Sequence, residues 1–252
     1  MYFDTHAHYD DAAFNADREA LLASLPESGV DLVIDPGCDR KSSEAAIRLA
    51  ERFDHVYAAV GIHPEELAGM AEGDEAYIAA LARHPKCVAI GEIGLDYYWD
   101  AGRKEEQKAL FERQIELALS LDLPVIVHDR EAHGDCLEIV RRYPTLRGVF
   151  HCYSGSAEMA EELLKRGWYL GFDGPITYKN ARKALEVLAI CPRERILIET
   201  DSPYLSPVPL RGKRNDSRNL VHVAAKIAEI LGCAPEEAAA LTMENGRRLF
   251  GI

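Results

Sequence analysis

Short apolar runs alternate with longer amphipathic stretches from one end of this chain to the other. The short runs are Tyr2–His6, Asp31–Asp35, Val56–Gly61, Val88–Glu92, Pro124–His128, Gly148–His151, Trp168–Phe172 and Arg195–Glu199. Those reading "DLVID", "PVIVH" and "RILIE" are almost continuously apolar, the pattern of parallel strands covered on both faces. Between them the apolar period lengthens to about 3.6 residues. It is clearest over Lys104–Leu121, where Leu110, Ile115, Leu117, Leu119 and Leu121 are interspersed with Glu and Lys. Further helices are predicted near Arg18–Leu25, Ser42–Arg52, Glu75–Arg83, Cys136–Arg142, Ala157–Lys165 and Ala181–Leu188, with two closing ones at Asn219–Leu231 and Pro235–Leu249. Gly29 and Gly167 stand where helix C-termini favour glycine, and Pro26, Pro85 and Pro144 act as stops.

Eight strands separated by helices predict an α/β fold of the closed (β/α)8 or TIM-barrel type, whose usual length of about 250 residues matches this chain. With no linker, low-complexity segment or composition break, residues 1–252 are expected to form a single domain. An open doubly wound sheet is the main competitor. It would carry a glycine-rich phosphate loop after its first strand, whereas this one ends in Thr5-His6-Ala7-His8.

Charge narrows the function. A net charge of −13 leaves no basic stripe for sequence-specific binding of a nucleic-acid duplex. It still admits an enzyme that takes a strand end or small phosphoester, because bound cations supply local positive charge. No apolar stretch approaches the roughly 20 residues of a membrane span, and no basic-then-apolar leader opens the chain, so a cytoplasmic location without membrane contact is expected. The scattered Cys38, Cys87, Cys136, Cys152, Cys191 and Cys233, with no C-x-x-C pair, read as reduced thiols. On a strand, Cys152 would point away from whatever His151 faces.

Ionisable residues recur at the C-terminal ends of the predicted strands: His6 and His8, His63, Glu92, His128, His151, Asp173 and Asp201. In a (β/α)8 barrel those ends converge on one mouth, where active sites sit. One such histidine could be a satisfied structural group. Five meeting three carboxylates are hard to explain as packing, because buried polar groups need partners. The other four, His55, His84, His133 and His222, read as solvated.

Imidazoles from His6, His8, His128 and His151, with Glu92 and Asp201, make a shell for two divalent cations, and spacing does not choose among Mg, Mn and Zn. Glu92, on a central strand, is placed to bridge them, and Asp201 to take the proton of the attacking water. Asp96 and Asp100 read as loop hydrogen-bonders, and Asp4 as facing away while orienting a neighbour. Asp173, in "GFDGP", reads equally as a backbone cap. Arg211, Lys213 and Arg214 concentrate positive charge in the Ser206–Ser217 loop, where they would steer phosphates or simply be solvated.

Several segments together resemble the TatD family of metal-dependent deoxyribonucleases: "DTHAHYDDAAFNADR" at Asp4–Arg18, "VGIHPE" at Val60–Glu65, "GEIGLDYY" at Gly91–Tyr98, "LPVIVHDR" at Leu123–Arg130, "HCYSGS" at His151–Ser156, "IETDSPYL" at Ile198–Leu205 and "TMENGRRLF" at Thr242–Phe250. The resemblance spans the chain in the family's order. It implies an amidohydrolase-type TIM barrel with one ion among His6, His8, Glu92 and Asp201 and another among Glu92, His128 and His151. It also implies that His63 contacts the scissile phosphate, and that DNA strand ends are the substrate, often digested from the 3′ end. The chain departs from the family at Asp216-Ser217, where Glu-Pro is usual, which bears on how that loop is held. A hydrolase of another ester, amide or small phosphoester on the same site is the alternative, as is a non-catalytic metal-binding protein. Fold and metal ligands do not set substrate.

Overall fold

The computed structural model describes residues 1–252. Eight strands run parallel in chain order: β1 (Tyr2–Asp4), β2 (Val30–Pro36), β3 (Val56–Val60), β4 (Cys87–Asp96), β5 (Val125–Arg130), β6 (Gly148–Phe150), β7 (Tyr169–Phe172) and β8 (Ile196–Ile198). Around them lie α1 (Arg18–Ser24), α2 (Arg40–Arg52), α3 (Asp74–Leu81), α4 (Lys104–Leu121), α5 (His133–Arg141), α6 (Ala157–Lys165), α7 (Arg182–Ile190), α8 (Leu220–Leu231) and α9 (Pro235–Phe250). The seam between β8 and β1 is closed by Thr5 N donating to Ile198 O (3.2 Å) and by a parallel bridge between Ala7 and Ser202. The result is the predicted (β/α)8 barrel.

Alternation along each strand sorts side chains into two cores. Phe3, Leu32, Ile34, Val88, Ile126, Val149, Tyr169 and Leu197 pack together with Met243, Leu249 and Phe250 of α9, which closes one end of the barrel. The Phe3 and Phe250 rings lie 6.0 Å apart. The larger cluster joins the opposite strand faces to the surrounding helices.

Local chemistry sets the helix ends. Asp39 and Ser42 form a reciprocal capping box that starts α2 two residues before the predicted Ser42. On α4, Gln107 and Gln114 face inward seven residues apart, two turns on one face. Gln107 bonds both backbone groups of Asp96 (2.9 and 3.0 Å), and Gln114 both of Ile62 (2.7 and 2.9 Å). These buried amides satisfy backbone that no neighbouring strand reaches, and they fix the segments bearing Asp96 and His63.

Candidate metal centre

β1 stops at Asp4, so His6 and His8 do not lie on the strand as expected; they follow it. Their alternation survives because Ala7 N donates to Ile34 O (3.1 Å) and His8 N to Ser202 O (2.7 Å), which hold the segment extended. Both imidazoles turn inward, with their Nε2 atoms 3.0 Å apart. β4 runs beyond Glu92 to Asp96, with a register shift between Ile90 and Ile93. It lies close to β5: a Cβ on Gly94 (φ 143°) would stand 2.0 Å from His128 O.

Glu92 sits between two donor sets. Its Oε2 lies 3.2 Å from His6 Nε2 and 3.6 Å from His8 Nε2, and Asp201 Oδ1 lies 3.6 and 3.5 Å from the same nitrogens. Its Oε1 lies 2.8 Å from His128 Nδ1, 2.7 Å from His151 Nε2 and 3.5 Å from His63 Nε2. Four donors arranged tetrahedrally about 2.0–2.2 Å from one cation stand about 3.3–3.6 Å from one another. The first set, at 3.0 to 3.6 Å, is close to that spacing. One carboxylate with an oxygen in each set is the arrangement of a bridge between two ions. His6, His8 and Glu92, with Asp201 beside them, and Glu92, His128 and His151 form two clusters consistent with two divalent cations at the barrel mouth, the second set standing closer together at 2.7 to 3.4 Å.

The surroundings tune these groups. Burial alone would push the carboxyl of Glu92 up, but His151, His6, His63 and His128 together hold it well below its ordinary range. Burial also opposes ionisation of Asp201, and His8, His6 and His151 outweigh it, so this carboxyl is likewise held low. Both are carboxylates at neutral pH, as metal ligands must be. His63 is held down at about 4 by burial and by His128, and is therefore neutral.

A further layer orients the ligands. His8 Nδ1 donates to Pro36 O (3.1 Å), and His128 Nε2 to Asp96 Oδ2 (3.0 Å), which leaves the other nitrogen of each ring free for a cation. Glu199 is fully buried; its Oε1 accepts from Cys152 N and faces His151 Nδ1 at 3.6 Å. Glycine at 171 makes room for it, since a Cβ there would meet Glu199 Oε2 at 2.4 Å.

Several expectations need correction. Asp96 is not a loop residue: it ends β4 and aims at His128, while its Oδ1 also accepts from Tyr98 N and Trp99 N. Asp173 makes no side-chain capping bond; it is buried, and burial with Glu199 and Asp201 nearby pushes its carboxyl well above the usual range. Cys152 lies past the end of β6 at φ 41°, where strand alternation no longer applies, and it lines the same cleft as His151. Arg211 is exposed, its guanidinium 4.3 Å from the centre of the ring of Tyr178, which lines a cleft shared with His128, His151 and Asp201. Arg214 is paired with Asp17 (2.6 Å). At the Asp216-Ser217 departure, Asp216 is paired with Arg218 (2.8 Å), and Ser217 Oγ bonds Tyr9 OH (2.8 Å).

Sequence reasoning passes over Glu199 and Asp35, each of which closes an apolar strand. Glu199 stands two residues before Asp201, a spacing of one strand period that could have flagged it. Asp35 is fully buried with both carboxylate oxygens unpartnered, and burial together with Asp10 pushes its carboxyl well up.

A closed (β/α)8 barrel with this donor set at the strand ends defines a metal-dependent hydrolase. The family model described as "TatD related DNase" matches residues 3–251, and the chain belongs to the TatD family. It is 43% identical to YabD of Bacillus subtilis, an uncharacterised metal-dependent hydrolase, with all of both chains covered. It is 35% identical to the 3′-5′ ssDNA/RNA exonuclease TatD of Citrobacter koseri, covering 99% of each. The crystal structure of the TatD homologue YjjV from Escherichia coli superposes with a TM-score of 0.94 at 32% identity, covering 100% of this chain and 98% of that one. No helix is long and apolar enough to cross a membrane.

Proposed function

We propose that the protein is a nuclease that removes nucleotides from single-stranded DNA ends, working from the 3′ end. The observation that carries this reading is that the ligand cluster lies where two clefts meet. One, of about 740 Å³, is lined by Asp10, Asp39, His63, Glu65, Trp99 and Tyr204. The other, of about 480 Å³, is lined by Tyr153, Phe172, Asp173, Ile176, Tyr178 and Lys183. His128, His151 and Asp201 border both. A phosphodiester carries a group on each side of its phosphorus and can fill both clefts, whereas a monoester fills one. The larger cleft also presents Asp11 and Glu66, so a strand continuing through it would meet several carboxylates. That favours a terminal nucleotide there over an internal stretch of chain. The exonuclease name of the Citrobacter relative supports the same reading.

When bound, the two cations would polarise the phosphoryl group and acidify a water. The side chains do the rest. Asp201, ionised, accepts the proton of the attacking water. His63 accepts at Nδ1 from Glu65 N (3.2 Å), so its proton sits on Nε2, which donates to a phosphoryl oxygen. Glu92→Ala removes the shared carboxylate and is expected to abolish shortening of an end-labelled oligonucleotide in metal-supplemented buffer. Undiminished cleavage would refute the reading. Turnover of lactones, amides or phosphomonoesters without any of DNA or RNA would assign the site to another bond.

A further inference from the structure

We propose that Tyr98 and Trp99, clasped by Arg130, form a base-stacking platform for single-stranded nucleic acid at the rim of the metal centre. The proposal rests on the nuclease reading and specifies what its substrate touches.

Tyr98 is 57% and Trp99 62% exposed, and their rings meet edge to face at 4.8 Å. A single exposed aromatic needs no explanation. These two differ in position and in partner. Trp99 and Arg130 line the cleft that contains His63, Glu92 and His128. The Arg130 guanidinium stands 4.2 Å from the centre of the Tyr98 ring and 5.5 Å from that of Trp99. Arg113, Arg141, Arg142, Arg214 and Arg218 each pair with a carboxylate. Arg130 pairs with none and keeps its charge at the mouth of a strongly acidic protein.

The platform is tied to the metal centre through one residue. Asp96 Oδ1 accepts from Tyr98 N (2.9 Å) and Trp99 N (2.8 Å), while Oδ2 accepts from His128 Nε2. Tyr97 N donates to Arg130 O (2.9 Å), which holds the aromatic turn against the end of β5. The backbone that carries the rings and the His128 imidazole are therefore positioned together before substrate arrives, which lessens the ordering that opposes binding. Every base offers a π-face, so stacking here tolerates any sequence, while a planar guanidinium suits the adjoining phosphate. An acidic cleft with one such foothold takes a short strand end and discriminates against small esters that lack a base.

The test compares the metal-loaded wild-type enzyme with Trp99→Ala and Trp99→Phe on oligothymidylate and on an abasic strand of equal length. Trp99→Ala is expected to raise KM for oligothymidylate roughly 5- to 100-fold. It should leave kcat, melting temperature and the KM of the abasic strand nearly unchanged, and Trp99→Phe should retain most of the affinity. The only other tryptophan, Trp168, is 2% exposed, so the solvent-facing emission belongs to Trp99. Oligothymidylate should quench it and the abasic strand should not. An equal rise in KM for both strands, or emission unmoved by saturating oligothymidylate, overturns the platform alone. A wild-type enzyme that cleaves neither strand overturns the nuclease reading and the platform with it.

Discussion

Asp96→Asn isolates one half of the two-ion centre. In the wild-type protein the Asp96 carboxylate accepts from Tyr98 N and Trp99 N on one oxygen and from His128 Nε2 on the other. An asparagine that keeps its oxygen toward the two backbone donors turns an NH2 toward His128 Nε2. The imidazole must then carry its proton on Nδ1, the nitrogen 2.8 Å from Glu92 Oε1, and it offers N–H where the second cation needs a lone pair. Flipping the amide spares His128 but sets NH2 against two N–H groups. Loss of an orienting partner behind a metal-bound histidine typically costs 10- to 100-fold in affinity, about 1.4–2.7 kcal/mol. A lost charge-assisted hydrogen bond, at about 1.5–3 kcal/mol, gives the same magnitude. His6, His8 and Asp201 do not contact Asp96, so only the second ion should weaken. Equilibrium dialysis against graded Mn or Zn, followed by elemental analysis, reads this directly. One ion should be retained at wild-type affinity while the other shifts by that factor. Two ions held as in the wild type, or both weakened equally, would refute the division of ligands around Glu92.

Three other expectations concern the scaffold. Phe3→Ala empties a fully buried site against Phe250 and should cost about 3–5 kcal/mol in urea unfolding. Gln114→Leu keeps the volume but leaves Ile62 N–H and C=O without partners, at about 1–3 kcal/mol for each group left dry; a urea midpoint equal to wild type would show that water replaces the amide. Arg141, with Arg166, holds the Glu162 carboxyl down at about 2, against an ordinary 4.5. A depressed carboxyl stabilises the fold fully above its unfolded pKa and loses that contribution as pH falls toward the folded one. Glu162→Gln should therefore lower stability above about pH 4.5 and narrow its gap from wild type between there and pH 2; a gap independent of pH would refute the assignment.

Much of this protein is written along the chain. Eight apolar runs separated by amphipathic segments determine a parallel barrel, because strands buried on both faces and crossed by helices close in few ways. That architecture by itself gathers strand-end residues at one mouth, which is why His6, His8, Glu92, His128, His151 and Asp201 are legible in the sequence as a group. Tertiary structure alone decided how Glu92 divides its oxygens, since a side chain's two atoms are indistinguishable in sequence. It also decided that Asp96 belongs to a strand rather than a loop, because the register shift in β4 and the grip of Gln107 extend the ladder past Glu92. Glu199 and Asp35 stayed hidden for a related reason: an acid closing an apolar strand looks like a terminus until its neighbours show it to be buried. Arg211 shows a third case. Charge density in a loop is legible in sequence, but where the loop folds depends on long-range contacts, and here they lay this arginine on Tyr178, while Arg130 stands over Tyr98.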